Sequence, residues 1–536
     1  MSSNTQLQSG GQPGLGWALV GVIVFAAAAR LLAYSGFFGS DEVTYTERAF
    51  LIASGDWTVD DYVGANRMGV NLPVAAFAAV LGQNEWAAAA WGMLCSLAEV
   101  ALVTWAGWRM WGLRAGVLAG LLLASLPTHV HLAGRLLADP PLTLAITAAF
   151  VLFYEGERRR WPLGYLLAGV AAGLSFWVKP VTLFVFGIFL LYPLVARRID
   201  WRWLWMAVGV ALAIAANCLL FWGLTGRFWY IFEVMTARRS SGYLEAGVTA
   251  GEIANTWYLY LIYLFGKVYH TGLVGFLAAV GLLWLWFKPR SGLAPAAAAD
   301  SATDSLNARF LSFWALGLLA ILSFLPVTFS PLMWVPKQTN YMLIFVAPLC
   351  LLGGGWLSTL RTRWMHTLLA VSVGVGLGFA LLLQGAVAVF TANSHATVAW
   401  AKANPQTPLY VMSNAYRAAQ FEQLVTGVPL SRQVQALSDL DPASSAARDF
   451  HVVIDLETFD WDDNKPFARP SDVPACWRLQ QTLVAQPAGL GAWMLQAAAT
   501  LAAATPGIQT SGISARLQRM ADPRPAQLYL APSLAC

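Results

Sequence analysis

Eleven charge-poor apolar runs, most of them near the length of a membrane crossing, dominate the chain. They fall near residues 16–34, 86–108, 113–128, 139–155, 163–178, 181–196, 203–224, 270–287, 309–329, 341–360 and 366–390. A spanning helix needs about 20 mostly apolar residues, and a water-soluble core has no use for so many. Two further stretches, 70–82 and 255–268, add partial or full crossings. The sequence therefore predicts a mainly α, polytopic membrane protein with 11–13 transmembrane helices. Composition agrees. Of 536 residues, 58% are hydrophobic and 11% charged, against about 25% charged in a soluble domain. A single soluble domain, a disordered chain and a disulfide scaffold are excluded. Residues 1–15 are polar with no basic n-region, so the run from 16 reads as an uncleaved first span rather than a signal peptide.

The loops set the orientation. One alternating set carries Arg109, Arg114, Arg158, Arg159, Arg160, Arg197, Arg198, Arg202, Lys288, Arg290, Arg309, Arg361 and Arg363. The other set is acid-rich, with Asp41, Glu42, Glu47, Asp56, Asp60, Asp61 and Glu85 all ahead of the second span. Basic loops stay cytoplasmic, so the net charge of +5 points to topology and not to nucleic acid. The expected organisation is a cytoplasmic tail at 1–15, a transmembrane domain at 16–390 with its first outer loop at 35–85, and an extracytoplasmic domain at 391–536. In that last part charge returns, with 10 Lys/Arg and 11 Asp/Glu. Strand-like stretches at 407–413 and 450–456 flank a helical 413–426, which predicts a small α/β domain. Cys95, Cys218 and Cys350 lie in apolar runs as small hydrophobes. Cys476 and Cys536 lie in the polar part, where an oxidising compartment permits pairing.

The first outer loop is the richest in chemistry: Gly39-Ser40-Asp41-Glu42, then Tyr45, Glu47 and Arg48, then Gly55-Asp56-Trp57. Ser40 is a candidate N-cap for a short surface helix. Asp41 leaves the bilayer first. It is either a solvated acid at the start of that helix or a general base able to take a proton from an acceptor hydroxyl. Single basic residues stand in several outward turns: Arg135 near Asp139, Lys179 in Trp177-Val178-Lys179-Pro180, Arg238 and Arg239 after the seventh span, and Lys337 ahead of Asn340-Tyr341. Each is either a phosphate contact or a side chain snorkelling to lipid headgroups. Glu99 falls inside the second span, which makes it a functional candidate by position, with no partner named by spacing. His129 and His131 are too few for a metal site. The chain has no Gly-rich phosphate loop, Cys-x-x-Cys or His-Glu-x-x-His.

At these residues the chain resembles the GT-C superfamily of membrane glycosyltransferases, within it glycosyltransferase family 39, the protein O-mannosyltransferase and lipid A aminoarabinose transferase group. The resemblance rests on Asp41-Glu42 after the first span with Gly55-Asp56-Trp57. It rests also on Arg67-Met-Gly-Val-Asn-Leu-Pro73, Gly134-Arg135-Leu-Leu-Ala-Asp139-Pro140, Gly173 through Lys179-Pro180, and Asn340-Tyr341 through Pro348. It covers roughly residues 16–360. Where aminoarabinose transferases carry Lys-Pro-Pro, this chain has Asn66-Arg67-Met68-Gly69, and Lys179 lacks the following Gly.

The resemblance implies a polyprenyl-phosphate-sugar donor and transfer, with inversion, to a hydroxyl or phosphate of a glycan, lipid A or protein acceptor at the outer face of a bacterial inner membrane. Asp41 and Glu42 are the expected catalytic pair. Arg135, Lys179, Lys337, Arg238 and Arg239 are the expected phosphate ligands, with Arg67, Asp139 and Tyr45 in support. No cofactor and no metal are implied, and the partners are the donor, the acceptor and membrane lipids. Three rival readings remain. A lipid-linked-sugar flippase would show repeats and midplane polar groups, a ligase or polymerase would use a diphosphate donor, and a membrane-anchored binding protein would need only one or two spans.

Overall fold

The computed structural model describes residues 13–36, 38–241, 256–287, 295–329, 332–335, 337–439, 450–455, 473–485, 487 and 489–532. The membrane part begins with α1 (Pro13–Leu32), α2 (Glu42–Ala53), α3 (Met68–Leu81), α4 (Glu85–Trp111), α5 (Leu113–Ala124), α6 (Pro127–Ala133), α7 (Asp139–Arg159) and α8 (Pro162–Val178). It continues through a 3-10 stretch (Pro180–Leu191), α9 (Tyr192–Ala196), α10 (Leu204–Thr225), α11 (Tyr230–Ser241), α12 (Val274–Phe287), α13 (Pro295–Phe324), the paired strands β1 (Pro326–Phe329) and β2 (Leu332–Trp334), α14 (Val346–Leu357) and α15 (Thr362–Ala403). Among the described residues six helices are long and apolar enough to cross a membrane, or seven if the bent pair α5–α6 is one crossing. The chain is a multi-pass membrane protein. Other expected runs appear as shorter helices such as α3, α8 and α12, or as the 3-10 stretch, whose apolar composition does not distinguish it from α-helix.

Local chemistry accounts for the breaks. Pro127 opens α6, and the residue before a proline is driven out of the helical region. Leu126 accordingly sits at φ −66°, ψ 122°, and α5 and α6 meet at 64°. Elsewhere glycine sets the distance between helices. A methyl group on Gly169 of α8 would stand 2.0 Å from the Met206 carbonyl oxygen, and one on Gly209 of α10 would stand 2.2 Å from that of Leu166. Those helices touch backbone to backbone, as small residues permit in membranes.

α15 runs unbroken for 42 residues, past position 390 to Ala403. Its last turns, through Val398 and Ala401, join the core of the C-terminal domain. That domain is a five-stranded sheet in the order β4-β3-β5-β7-β6, from β3 (Leu409–Val411), β4 (Val434–Ala436), β5 (Phe450–Ile454), β6 (Arg478–Leu483) and β7 (Ala526–Ala531). β3 pairs in parallel with β4 and β5, while β7 is antiparallel to β5 and β6. Helix α16 (Ser413–Thr426) makes the crossover from β3 to β4. The α/β expectation holds. An apolar helix within it, α17 (Leu490–Ala504), packs on α15: Gln384 accepts from the Gly491 N–H at 3.0 Å. Cys95, Cys218 and Cys350 are buried and free, and Cys476 is in a disulfide whose mate lies outside the described residues.

Candidate active site

The chain leaves α1 and turns at Gly39, whose φ of +97° suits glycine. There the N–H groups of Phe38, Gly39 and Ser40 converge on one carboxylate, that of Glu42. Its Oε1 accepts from Phe38 and Gly39 at 2.6 and 3.0 Å, and its Oε2 accepts from Ser40 at 3.0 Å. Glu42 is buried and lies 3.7 Å from Arg135 Nη2. Ser40 is not the N-cap expected from the sequence. Asp41 holds that place, without a side-chain cap bond, because α2 starts one residue later and Glu42 takes the free amides.

Freed from capping, Asp41 faces out. Its side chain is 43% exposed, with Oδ2 3.5 Å from Arg67 Nη1 and accepting from the Tyr45 hydroxyl at 3.0 Å. The Arg67 guanidinium lies over the Tyr45 ring at 5.3 Å, so these two side chains brace each other around one carboxylate oxygen, Oδ2. The two acids of the Asp-Glu pair, expected to act together, point to different environments because consecutive residues on a helix face about 100° apart.

Behind them lies a second layer. Arg135, buried just after α6, stacks on the Phe38 ring at 4.1 Å and interacts electrostatically with Glu42, Asp139 and Asp41. Lys179, expected as a lone cation, donates to Asp139 Oδ1 at 2.7 Å, both side chains buried. Asn340 Nδ2 donates to the same oxygen at 3.1 Å, and the ammonium sits 5.2 Å from the centre of the Tyr341 ring. Asp139 also feels Arg67. Asp41, Glu42 and Asp139 thus meet Arg67, Arg135 and Lys179 in one charge-balanced cluster.

Lys337 stands beside this cluster in sequence, three residues before Asn340. It is buried, with Nζ 3.5 Å from the Val335 carbonyl oxygen. Burial pulls its ammonium down to about 8. Arg238 and Arg239 lie on α11, and their side chains fall outside the described residues.

Spacing did not signal several contributors. Asn340 and Tyr341 were named only as neighbours of Lys337 and within a resembling segment. Arg417 on α16 donates from Nη1 to the Ser40 carbonyl at 3.3 Å across 377 positions, and Val43 of α2 is buried in the C-terminal core with Ala415, Ala418 and Phe421.

The model of the dolichyl-phosphate-mannose-protein mannosyltransferase family matches residues 54–235. An undecaprenyl phosphate-alpha-4-amino-4-deoxy-L-arabinose arabinosyl transferase of Edwardsiella ictaluri is 26% identical over 366 residues, 64% of this chain and 60% of the relative. Its counterpart in Pseudomonas paraeruginosa is 26% identical over 376 residues, covering 67% and 62%. The chain therefore spans about three fifths of these relatives. The structure of ArnT from Cupriavidus metallidurans bound to undecaprenyl phosphate superposes with a TM-score of 0.54 at 18% identity, covering 82% of this chain and 93% of that one. The Archaeoglobus fulgidus oligosaccharyltransferase, in complex with Zn and sulfate, follows at 0.50 and 10% identity, covering 82% and 68%. Over residues 54–235 the chain is therefore similar to the dolichyl-phosphate-mannose-protein mannosyltransferase family, and it shares the fold of these solved structures.

Proposed function

We propose that the protein transfers a sugar from a polyprenyl-phosphate donor to an acceptor hydroxyl or phosphate at the outer face of the inner membrane, inverting the anomeric centre. One observation carries the reading: Asp41 offers a partly exposed carboxylate, braced through one oxygen by Tyr45 and Arg67, within electrostatic reach of the buried cation Arg135. An acceptor hydroxyl hydrogen-bonds the unbraced oxygen and attacks the anomeric carbon opposite the phosphate. The carbon–oxygen bond to phosphate breaks, the polyprenyl phosphate leaves with the electron pair, and Asp41 takes the hydroxyl proton. When the acceptor is a phosphate no proton moves, and Asp41 only orients it.

Charge balance shapes donor binding. The six-residue cluster is neutral, so the donor phosphate needs a cation beyond it, and Lys337, three residues before Asn340, is the candidate. Arg135 and Lys179 stabilise charge on the leaving phosphate from preorganised positions. Glu42 holds the loop rather than touching substrate. The likeness to aminoarabinosyl transferases makes undecaprenyl-phosphate aminoarabinose the first donor to try and lipid A the first acceptor, with the changed segment at Asn66-Arg67-Met68-Gly69 able to alter the sugar accepted. The N-terminus is cytoplasmic and the α/β domain extracytoplasmic in this reading.

The test is product analysis with purified protein in lipid nanodiscs. Undecaprenyl-phosphate aminoarabinose and other undecaprenyl-phosphate sugars are supplied with lipid A, alongside a diphosphate-linked donor. Transfer from a monophosphate donor, with an inverted linkage, is expected. Transfer from the diphosphate donor alone would make the protein a ligase or polymerase instead.

A further inference from the structure

Within the membrane part lies a polar network that the transfer reaction does not use. Arg30 on α1 donates from Nε to Ser96 Oγ on α4 at 2.8 Å and from Nη1 to the carbonyls of Ala26 and Ala124 at 2.9 and 3.3 Å. Its Nη2 lies 2.7 Å from His129 Nδ1 on α6. The far side of that imidazole, Nε2, lies 3.1 Å from Glu99 Oε2 on α4. Thr143 and Thr147 of α7 donate to the two Glu99 oxygens at 2.7 and 2.8 Å. All six side chains are at most 2% exposed.

The chemistry fixes the protonation pattern. A guanidinium has donors only, so His129 Nδ1 must accept from Arg30, and the ring hydrogen must sit on Nε2, pointing at Glu99. A neutral imidazole therefore bridges one positive and one negative side chain. Burying such a pair is weak evidence for stability, because well-packed apolar residues often serve as well. Its better-attested use is to fix register, and intramembrane ionisable groups are retained for function.

The places of the six residues say what is registered. Arg30 lies near the end of α1, whose exit leads to Asp41 and Glu42. His129 lies on α6, whose exit leads to Arg135. Thr143 lies one turn into α7, which opens at Asp139. Glu99 and Ser96, one turn apart on α4, face all three. Three of the segments that deliver charged residues to the site, α1, α6 and α7, are thus tied to α4.

We propose that Glu99, acting through His129 and Arg30, is a positioning residue that sets the relative placement of Asp41, Arg135 and Asp139. It touches no substrate. The proposal rests on the transfer reaction described above.

The experiment uses the full chain in nanodiscs, with wild-type transfer established first; an inactive wild type would count against the proposed reaction and not against the network alone. The triple variant Arg30→Met/Glu99→Met/His129→Leu removes the network while keeping an apolar interior, and His129→Leu and His129→Gln are compared singly. Glutamine can accept from Arg30 through its oxygen and donate to Glu99 through its nitrogen. The triple variant should melt within a few degrees of wild type yet lose about tenfold or more in kcat, since misplacement by about 1 Å costs on the order of 10²-fold. His129→Gln should recover most of what His129→Leu loses. Folded variants with wild-type kcat, or equal activity in the leucine and glutamine forms, would overturn the proposal. Loss of folding in all three would overturn it too, making the network a structural staple.

Discussion

Arg417, half-buried on α16 of the C-terminal domain, donates a hydrogen bond to the carbonyl of Ser40, the residue immediately before Asp41. A charged donor on a helix of the C-terminal domain thus holds the loop that presents the proposed base, while Val43 on the next turn is buried among Ala415, Ala418 and Phe421. Arg417→Ala should lower kcat by about tenfold, in the range of one lost charge-assisted hydrogen bond of about 1.5–3 kcal/mol, while leaving the melting temperature close to wild type. Arg417→Lys should recover part of the loss. Unchanged turnover in the alanine variant, measured with the same donor and acceptor, would show that the domain does not hold the loop.

The two members of the acidic pair should respond differently to loss of charge. Asp41→Asn keeps the shape of an exposed side chain, so the protein should fold and bind donor while transfer falls by at least about 10²-fold. Glu42→Gln replaces an acceptor of three amides by a group with two donors of its own. A buried unsatisfied group costs about 1–3 kcal/mol, so this variant should melt lower and lose activity with its fold. Paired measurements of melting temperature and initial rate separate the cases. A stable, fully active Asp41→Asn removes that residue from catalysis.

The Asp139–Lys179 pair makes a stability prediction. Removing one member of a buried ion pair typically costs about 3–5 kcal/mol. Lys179→Met should therefore lower both the melting temperature and donor affinity, since Asp139 loses its 2.7 Å ion pair and keeps the Asn340 hydrogen bond and the more remote guanidiniums of Arg67 and Arg135. Thermal melts and undecaprenyl-phosphate titrations measure the two effects. A variant as stable as wild type means that solvent or lipid headgroups already compensate the carboxylate.

Lys337 gives the activity a pH dependence. With its ammonium lowered to about 8 by burial, it is charged at pH 7 and mostly neutral at pH 9, so donor affinity should weaken over that interval. Folding has the opposite slope. Between about 8 and the ordinary 10.5 the unfolded chain holds more of this proton than the folded one, so this group adds stability as pH rises. A fall in activity at pH 9 with no fall in melting temperature is expected, and Lys337→Arg, charged throughout, should flatten it. An unchanged pH profile in the arginine variant would show that another group titrates there.

Orientation is checked by single-cysteine labelling in a background without the native cysteines. Thr58→Cys should react with a membrane-impermeant reagent in intact cells, and Arg159→Cys should react only after lysis. The reverse pattern would put the site on the wrong face for an outer acceptor.

The apolar runs and the alternating charge of the loops were legible because both are local in sequence: a run of about 20 apolar residues states its environment without reference to the rest of the chain. Asp41 was legible for the same reason, by its distance from a span. Pairings were not. Lys179 read as a lone cation because Asp139 is 40 positions away, and Glu99 read as an orphan because His129 and Arg30 lie on other helices. Ion pairs between helices leave no periodic signal. The surroundings of Glu42 were hidden for another reason. Its carboxylate meets three amides brought round by Gly39, and backbone donors have no letter in a sequence.

The unbroken course of α15 bears on how acceptors arrive. At 1.5 Å per residue, its 42 residues measure about 63 Å, roughly twice the hydrocarbon thickness of a bilayer. The sheet domain is therefore mounted on a mast stepped in the membrane, not hung from a hinge. It cannot swing aside like a lid without bending a helix. In the proposed reaction an acceptor would therefore come to Asp41 past a domain held on a stiff mast, not through a flap that opens for it.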